Sequence, residues 1–177
     1  MTFARVRALV VVGALVTFAL VFVVVALVRD SQSGEAPVAQ CPEGWARVDL
    51  ALRTEQDIAV NVYNGTDTAA LANEVAADFT NRKFTVKKKG NDPKKKSVKG
   101  VAVLRYGPKA VGSAQVLRAY FLDEAAPEYD PTREDALVDV VIGEEFKQLA
   151  TPTEKNQALA ALGEPQLPPQ SCAAEAA

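Results

Sequence analysis

From Ala8 to Val28 every position is apolar apart from Thr17, and none is charged. As a helix these residues reach about 31 Å, the thickness of a bilayer's hydrocarbon core. The pattern predicts a transmembrane helix over 8–28. Arg5 and Arg7 precede the run, whereas Arg29 after it is offset by Asp30 and Glu35. Because Lys and Arg stay on the cytoplasmic side, 1–7 is expected in the cytoplasm and the rest outside the cell. The competing expectation is a cleaved signal peptide, whose apolar core spans about 7–15 residues and ends at small residues spaced A-x-A. This run is longer, and Val28-Arg29-Asp30 offers no such site. A lipoprotein site at Cys41 fits less well, since Gln40 is bulky and lies far past the run. Gly13 and Thr17 form a small-xxx-small pair, a weak signal for helix dimerisation.

The periodicity then changes. Residues 29–40 are polar and small, a flexible linker. Cys41-Pro42-Glu43-Gly44 reads as a turn, with Trp45 expected to pack on the domain. Ile58, Val60 and Val62 alternate with Ala59, Asn61 and Tyr63, which predicts a strand over 58–63. Asn64-Gly65 turns the chain, with left-handed backbone angles expected at both, and Thr66, Asp67 or Thr68 can cap a helix over 68–82. Leu71, Val75 and Phe79 form its stripe. Phe84 and Val86 begin a second strand that runs into lysines around the turn residues Gly90-Asn91-Asp92-Pro93. A third strand spans 101–106, and Gly107-Pro108 leads into a helix over 109–121. Residues 123–133 hold two prolines and read as a loop. The apolar run 137–142 fits a central strand buried on both faces. Another short helix is expected over 154–162, then a Pro-rich and Ala-rich tail that is extended or disordered. The order β-α-β-β-α-β predicts an α+β domain, two helices packed on one face of one sheet. The expected organisation is a domain over 41–150 and a tail, 151–177, tied back by Cys172.

Composition sharpens the picture in three ways. Residues 82–99 hold nine cations against one acid, Asp92, a net +8 that leaves −10 for the rest of a chain whose total is −2. The two cysteines, Cys41 and Cys172, lie near the ends of the part expected outside the cell. An even count in an oxidising compartment points to a disulfide, with two unpaired thiols as the alternative. Histidine is absent, which removes the commonest general base and metal ligand. No cofactor is implied.

Val60-Asn61-Val62-Tyr63-Asn64-Gly65-Thr66, Leu71-Ala72, Val101-Ala102-Val103-Leu104-Arg105-Tyr106-Gly107 and Val138-Asp139-Val140-Val141-Ile142-Gly143 resemble the LytR C-terminal domain family. In that pattern a strand ends in Asn-Gly-Ser/Thr, a helix enters through Leu-Ala, a strand ends near Tyr-Gly, and the last strand ends in an apolar residue and Gly. The resemblance spans about 57–146. The family often has Gly just before Leu-Ala, where this chain has Ala69-Ala70, and the lysine insert lies outside the pattern. The layout also looks like actinobacterial envelope proteins that carry this domain alone. Larger members join it to a LytR-CpsA-Psr domain that transfers glycopolymers to peptidoglycan. These 177 residues leave no room for that domain, so the transferase activity does not carry over. What the resemblance implies is an accessory domain linked to cell-envelope integrity.

Two features are candidate ligand sites. Backbone N–H groups at Asn64-Gly65-Thr66 could hold an anionic or hydroxyl-rich ligand, or the motif is only a turn. Lys87, Lys88, Lys89, Lys94, Lys95, Lys96 and Lys99 could bind wall polymer or anionic lipid headgroups, or merely protect a strand edge. Nucleic acid suits the charge but not the expected side of the membrane. Glu144-Glu145 has no nucleophile or metal set beside it, so no enzyme is expected. The leading expectation is an envelope factor in contact with wall glycopolymer or peptidoglycan. The alternative is an adaptor that recruits a wall-assembly enzyme.

Overall fold

The computed structural model describes residues 3–30 and 41–174, and within the first helix the side chains of 3 and 12–25. The chain divides into two units, 1–40 and 41–177. The expected linker lies outside the described residues except for its first two positions. Helix α1 (Phe3–Asp30) is continuous over 28 residues. Leu15, Phe18 and Phe22 point outward, each 65% exposed or more, and the Thr17 hydroxyl donates to Gly13 O of its own helix at 2.8 Å. Among the described residues no helix is long and apolar enough to cross a membrane. The expected span reaches past the described side chains at both ends.

The second unit is built from strands β1 (Ala46–Val48), β2 (Ala59–Asn64), β3 (Thr85–Asn91), β4 (Ala102–Tyr106), β5 (Ala125–Tyr129), β6 (Val138–Ile142) and β7 (Ser171–Ala173), with helices α2 (Leu71–Asn81), α3 (Val111–Tyr120) and α4 (Pro152–Leu162). The main sheet runs β3-β2-β6-β4-β5. Strand β2 is parallel to β3 and β6, β4 is parallel to β5, and β4 meets β6 antiparallel. The apolar run does occupy the centre of the sheet, where Val138, Val140, Val141 and Ile142 are fully buried.

Alternation along each strand gives the sheet two unlike faces. Val60, Val62, Leu104, Val138 and Val140 join Val75, Phe79, Ala114 and Leu117 in one core, so α2 and α3 cover the same face, as expected. On the other face the register aligns Lys88, Asn61, Asp139, Arg105 and Glu128 across all five strands.

Three expectations change. Residues 125–129, expected as loop, form edge strand β5. Pro127 cannot donate to a ladder, but on an edge its missing N–H faces no partner strand. Trp45 is 45% exposed rather than packed on the domain. The short helix expected over 154–162 is present as α4, but the stretch after it, expected as extended or disordered, ends in strand β7. Thr151 and Glu154 form a capping box that starts α4, and Lys155 pairs with Glu55 at 3.0 Å. After α4 the chain returns along β1 as β7.

Cys41 and Cys172 form a disulfide that closes a sequence separation of 131. Cross-linking so long a loop acts mainly by restricting the unfolded chain. Changing Cys172 to Ser is expected to lower stability by about 2–5 kcal/mol, read as a lower thermal midpoint that reductant reproduces in the parent protein. An unchanged midpoint under both treatments would show that the bridge contributes nothing.

Candidate functional site

The Asn64-Gly65-Thr66 turn holds itself with its own side chains. Asn64 Oδ1 accepts from the Thr66 N–H and hydroxyl, both at 2.9 Å. The Asn64 amide donates to Thr68 O at 2.6 Å, and Thr66 Oγ1 accepts from the Thr68 N–H at 3.0 Å. Neither Asn64 nor Gly65 is left-handed, contrary to expectation. Gly65 is required by crowding instead. A Cβ there would stand 2.9 Å from Ile142 O and from the side chains of Val141 and Val98. The left-handed residue is Ala70, at φ 64°, where the family pattern often carries Gly. Helix α2 starts after it at Leu71, later than expected, and has no capping side chain. Thr66 therefore shapes the loop and does not cap the helix.

The same glycine ties the lysine segment to the turn. Gly65 N–H donates to Ile142 O, and Gly65 O accepts from the Val98 N–H, both at 2.9 Å. At the other end of the segment, the Asp92 N–H donates to Asn64 O at 2.9 Å. The residues between are thus folded back beside Asn64-Gly65-Thr66. The result is a cleft of about 500 Å³ lined by Asn64, Gly65, Thr66, Ala70, Lys95 and Lys96, with Asp67 and Asp92 also on its wall.

The seven candidate lysines do not act as one group. Lys94 pairs with Glu128 at 2.5 Å and Lys99 with Glu144 at 2.6 Å. Lys87, Lys88 and Lys89 lie on β3, the outermost strand, where a bulge shifts the register between Val60 and Asn61. Together with Lys95 and Lys96 they are exposed and have no ion-pair partner among the described residues.

Asp92, the lone acid of the segment, is buried. Arg105 Nη1 donates to Asp92 Oδ1 at 2.6 Å and Nη2 to Oδ2 at 3.0 Å. Burial alone would push the Asp92 carboxyl up, but the Arg105 hydrogen bonds and charge outweigh it and hold it below the ordinary range. Arg105 Nε also donates to Glu128 at 2.9 Å. The Lys94 hydrogen bond, with Arg105, draws the Glu128 carboxyl down as well. Next along the face, the Asn61 amide and the Arg133 guanidinium both donate to Asp139. Sequence reasoning missed Arg105, Glu128 and Arg133. The available signal was a single arginine inside the apolar strand 101–106.

Chemically, this site offers the ammonium groups of Lys95 and Lys96 to an anion, because the N–H groups of Gly65, Thr66 and Thr68 are already taken within the turn and by Ile142. Among the described residues no group of three or more His, Cys, Asp or Glu could hold a metal ion.

Residues 57–146 match the LytR cell envelope-related transcriptional attenuator family, and the chain belongs to that family. No curated protein matches the chain. Its fold is similar to the crystal structure of the soluble domain of a conserved hypothetical secreted protein, an Rv2700 ortholog from Mycobacterium marinum. The TM-score is 0.55 at 21% identity, over 67% of this chain and 83% of that one. At that identity the likeness bears on fold alone.

Two substitutions test this construction. Asp92→Asn leaves Arg105 buried without its full counter-charge and is expected to cost about 3 kcal/mol. Because the folded-state carboxyl titrates below the unfolded one, its stabilisation is complete above about pH 4 and fades as pH falls through the folded value. The variant's stability should therefore lack that acid-dependent loss, as denaturant midpoints between neutral and acid pH would reveal. Ala70→Gly removes the left-handed penalty on a residue with a Cβ and should stabilise by about 1 kcal/mol.

Proposed function

We propose that this protein is a membrane-anchored, non-enzymatic factor of the cell envelope. In this reading residues 8–28 hold it in the membrane, and its extracytoplasmic domain contacts anionic wall glycopolymer or peptidoglycan. One observation carries the reading. Five unpaired lysines gather along β3 and the adjoining cleft, two of them beside the Asn64-Gly65-Thr66 turn. Each ammonium near an anionic surface contributes about 1 kcal/mol, and several unpaired ones on one edge act together.

The anchor and the outward topology rest on separate support. Helix α1 presents apolar side chains all round its described length, which suits a lipid surrounding. The disulfide suits an oxidising compartment, and the structural neighbour is described as a secreted protein. The layout of anchor, short spacer, single domain and a cysteine near each end is also similar to that of the envelope integrity protein Cei.

A second reading, a protein adaptor, draws on a different surface. A groove of about 940 Å³ runs past Val101, Phe121, Leu122 and Phe146. Leu122 is held left-handed at φ 53° with its side chain 48% exposed, a display that suits an apolar partner residue.

Co-sedimentation of the detergent-solubilised protein with purified wall sacculi separates the two. Binding should weaken as salt rises from about 50 to 500 mM. It should fall at least about tenfold when Lys87, Lys88, Lys89, Lys95 and Lys96 are changed to Gln. Vesicles with anionic headgroups, run in parallel, distinguish a lipid source of the same charge. Binding indifferent to salt and to these substitutions would sink the polyanion reading and favour the adaptor.

A further inference from the structure

Away from the lysines, a second cleft of about 260 Å³ opens at the ends of β4 and β5, lined among others by Tyr106, Tyr129, Pro127, Arg118, Gln166 and Leu167. Tyr106 and Tyr129 are register partners on these parallel strands. Their rings meet at 5.9 Å between centroids with a 54° tilt. The outer wall is the Pro-rich segment between α4 and β7, which Cys172 fastens through its disulfide.

Three features define what the cleft accepts. The first is an aromatic floor of two tilted rings, Tyr106 buried at 8% exposure and Tyr129 half-buried beside it. The second is an orphan group, because Tyr129 Oη is buried with no hydrogen-bond partner. Tyr120, by contrast, donates its hydroxyl to Glu55 at 2.9 Å. A buried hydroxyl left unpaired is unfavourable, and a ligand oxygen that reaches it recovers the loss. The third is neutrality. Arg118 is already engaged by Asp123, with Nε at 2.9 Å and Nη2 at 2.5 Å. It also donates to Gln115 Oε1 at 3.2 Å, and Gln115 in turn donates to Gly163 O at 3.1 Å.

We propose that this cleft is a subsite for a neutral sugar unit. A sugar ring pairs an apolar C–H face with a rim of hydroxyls. That complements a tyrosine pair with apolar rings and a polar tip. The ring lies on Tyr106 and Tyr129, and the Tyr129 hydroxyl donates to a sugar oxygen as the Pro-rich wall adjusts. A proline-rich peptide also favours aromatic grooves, but this chain's own Pro165, Pro168 and Pro169 already line the cleft. The inference deepens the wall-polymer reading, yet it uses none of the lysines on which that reading stands.

The test uses the full chain in phosphocholine micelles, which carry no sugar headgroup, with ring-13C tyrosine. The protein has four tyrosines, so Tyr63 and Tyr120 act as internal controls. Titration with chitotetraose, a neutral N-acetylhexosamine oligomer, should shift Tyr106 and Tyr129 together, saturably and without dependence on salt. Tyr129→Phe keeps the ring and should weaken binding about threefold to tenfold. Tyr106→Ala should abolish it, with the thermal midpoint confirming that each variant is folded. No saturable shift at Tyr106 and Tyr129 overturns the subsite, as does a shift that survives both substitutions. A response to a proline-rich decapeptide and not to the sugar reassigns the cleft to a peptide and also overturns it. The lysine-to-Gln protein should retain the shifts. If it does while the parent shows no salt-sensitive sacculus binding, the polyanion reading fails and the sugar subsite stands.

Discussion

The pairing of Arg105 with Asp92 is the constraint on which the cationic surface depends. A segment with nine cations and one acid repels itself and has little reason to fold back on a domain. Its single carboxylate is the group that goes inside, where a two-point bond to Arg105 holds it. Removing two charges from water is costly, and only good geometry with further hydrogen bonds offsets it. Glu128 supplies part of that support, and the backbone of Lys94 supplies another bond to Asp92. The pair's value lies in fixing where the segment runs. With Asp92 seated, Val98 reaches Gly65 and the turn at 92–95 sets Lys95 and Lys96 facing outward beside Asn64.

That arrangement follows from a sheet with two unlike faces. One face is sealed by α2 and α3 and is apolar throughout its centre. The other carries a polar row whose buried members bond one another, apart from Asn61 Oδ1, which has no partner among the described residues. Asp139 accepts from Asn61 and Arg133, and the Arg105 guanidinium donates to Asp92 and Glu128 while its carbonyl accepts from Arg133. The sheet's two edges are protected differently. Strand β5 has Pro127, while β3 has a bulge and three lysines, and both are established ways to prevent edge-to-edge pairing. Edge protection thus explains why Lys87, Lys88 and Lys89 are tolerated on a strand. It does not explain Lys95 and Lys96, which lie past the strand's end.

Much of this fold was legible from local pattern. The alternation at 58–63 and the solid apolar run at 137–142 located an inner strand and the central one, and the Leu71/Val75/Phe79 stripe located α2. What failed was set by tertiary context. Strand β5 hides because Ala125-Ala126-Pro127 has neither alternation nor β-branched residues, and it forms only because β4 offers it an edge. Strands β1 and β7 are three residues each, too short for any period, and they pair with each other beside the disulfide. The Asn-Gly dipeptide suggested left-handed angles from its turn chemistry. The decisive fact was instead how closely Ile142 and Val98 approach. Lys95 and Asn64 were each picked out, but that they line one cleft depends on the Val98–Gly65 bond, which no spacing reveals. The tyrosine cleft was invisible for the same reason as β5.

The distribution of cations separates those that build the domain from those that remain available. Arg82 donates to the carbonyls of Ala150 and Leu149, and Lys94 and Lys99 are held by Glu128 and Glu144. These three secure the segment to its neighbours. Of the lysines without an ion-pair partner among the described residues, five stand on or beside one strand edge and Lys83, Lys109 and Lys147 lie outside it, while the acidic excess is spread over the rest of the chain. A need for solubility alone is met by mixed charge of both signs and does not call for such separation. A separated pattern does two things for a partner that is a long polyanion. It draws the polymer toward one edge, and it repels the polymer from the remaining surface, so the encounter is oriented before any contact forms. Because the unpaired charge lies on the surface, while the path of the segment is set by the buried pair, surface charge and stability can be altered independently in this domain.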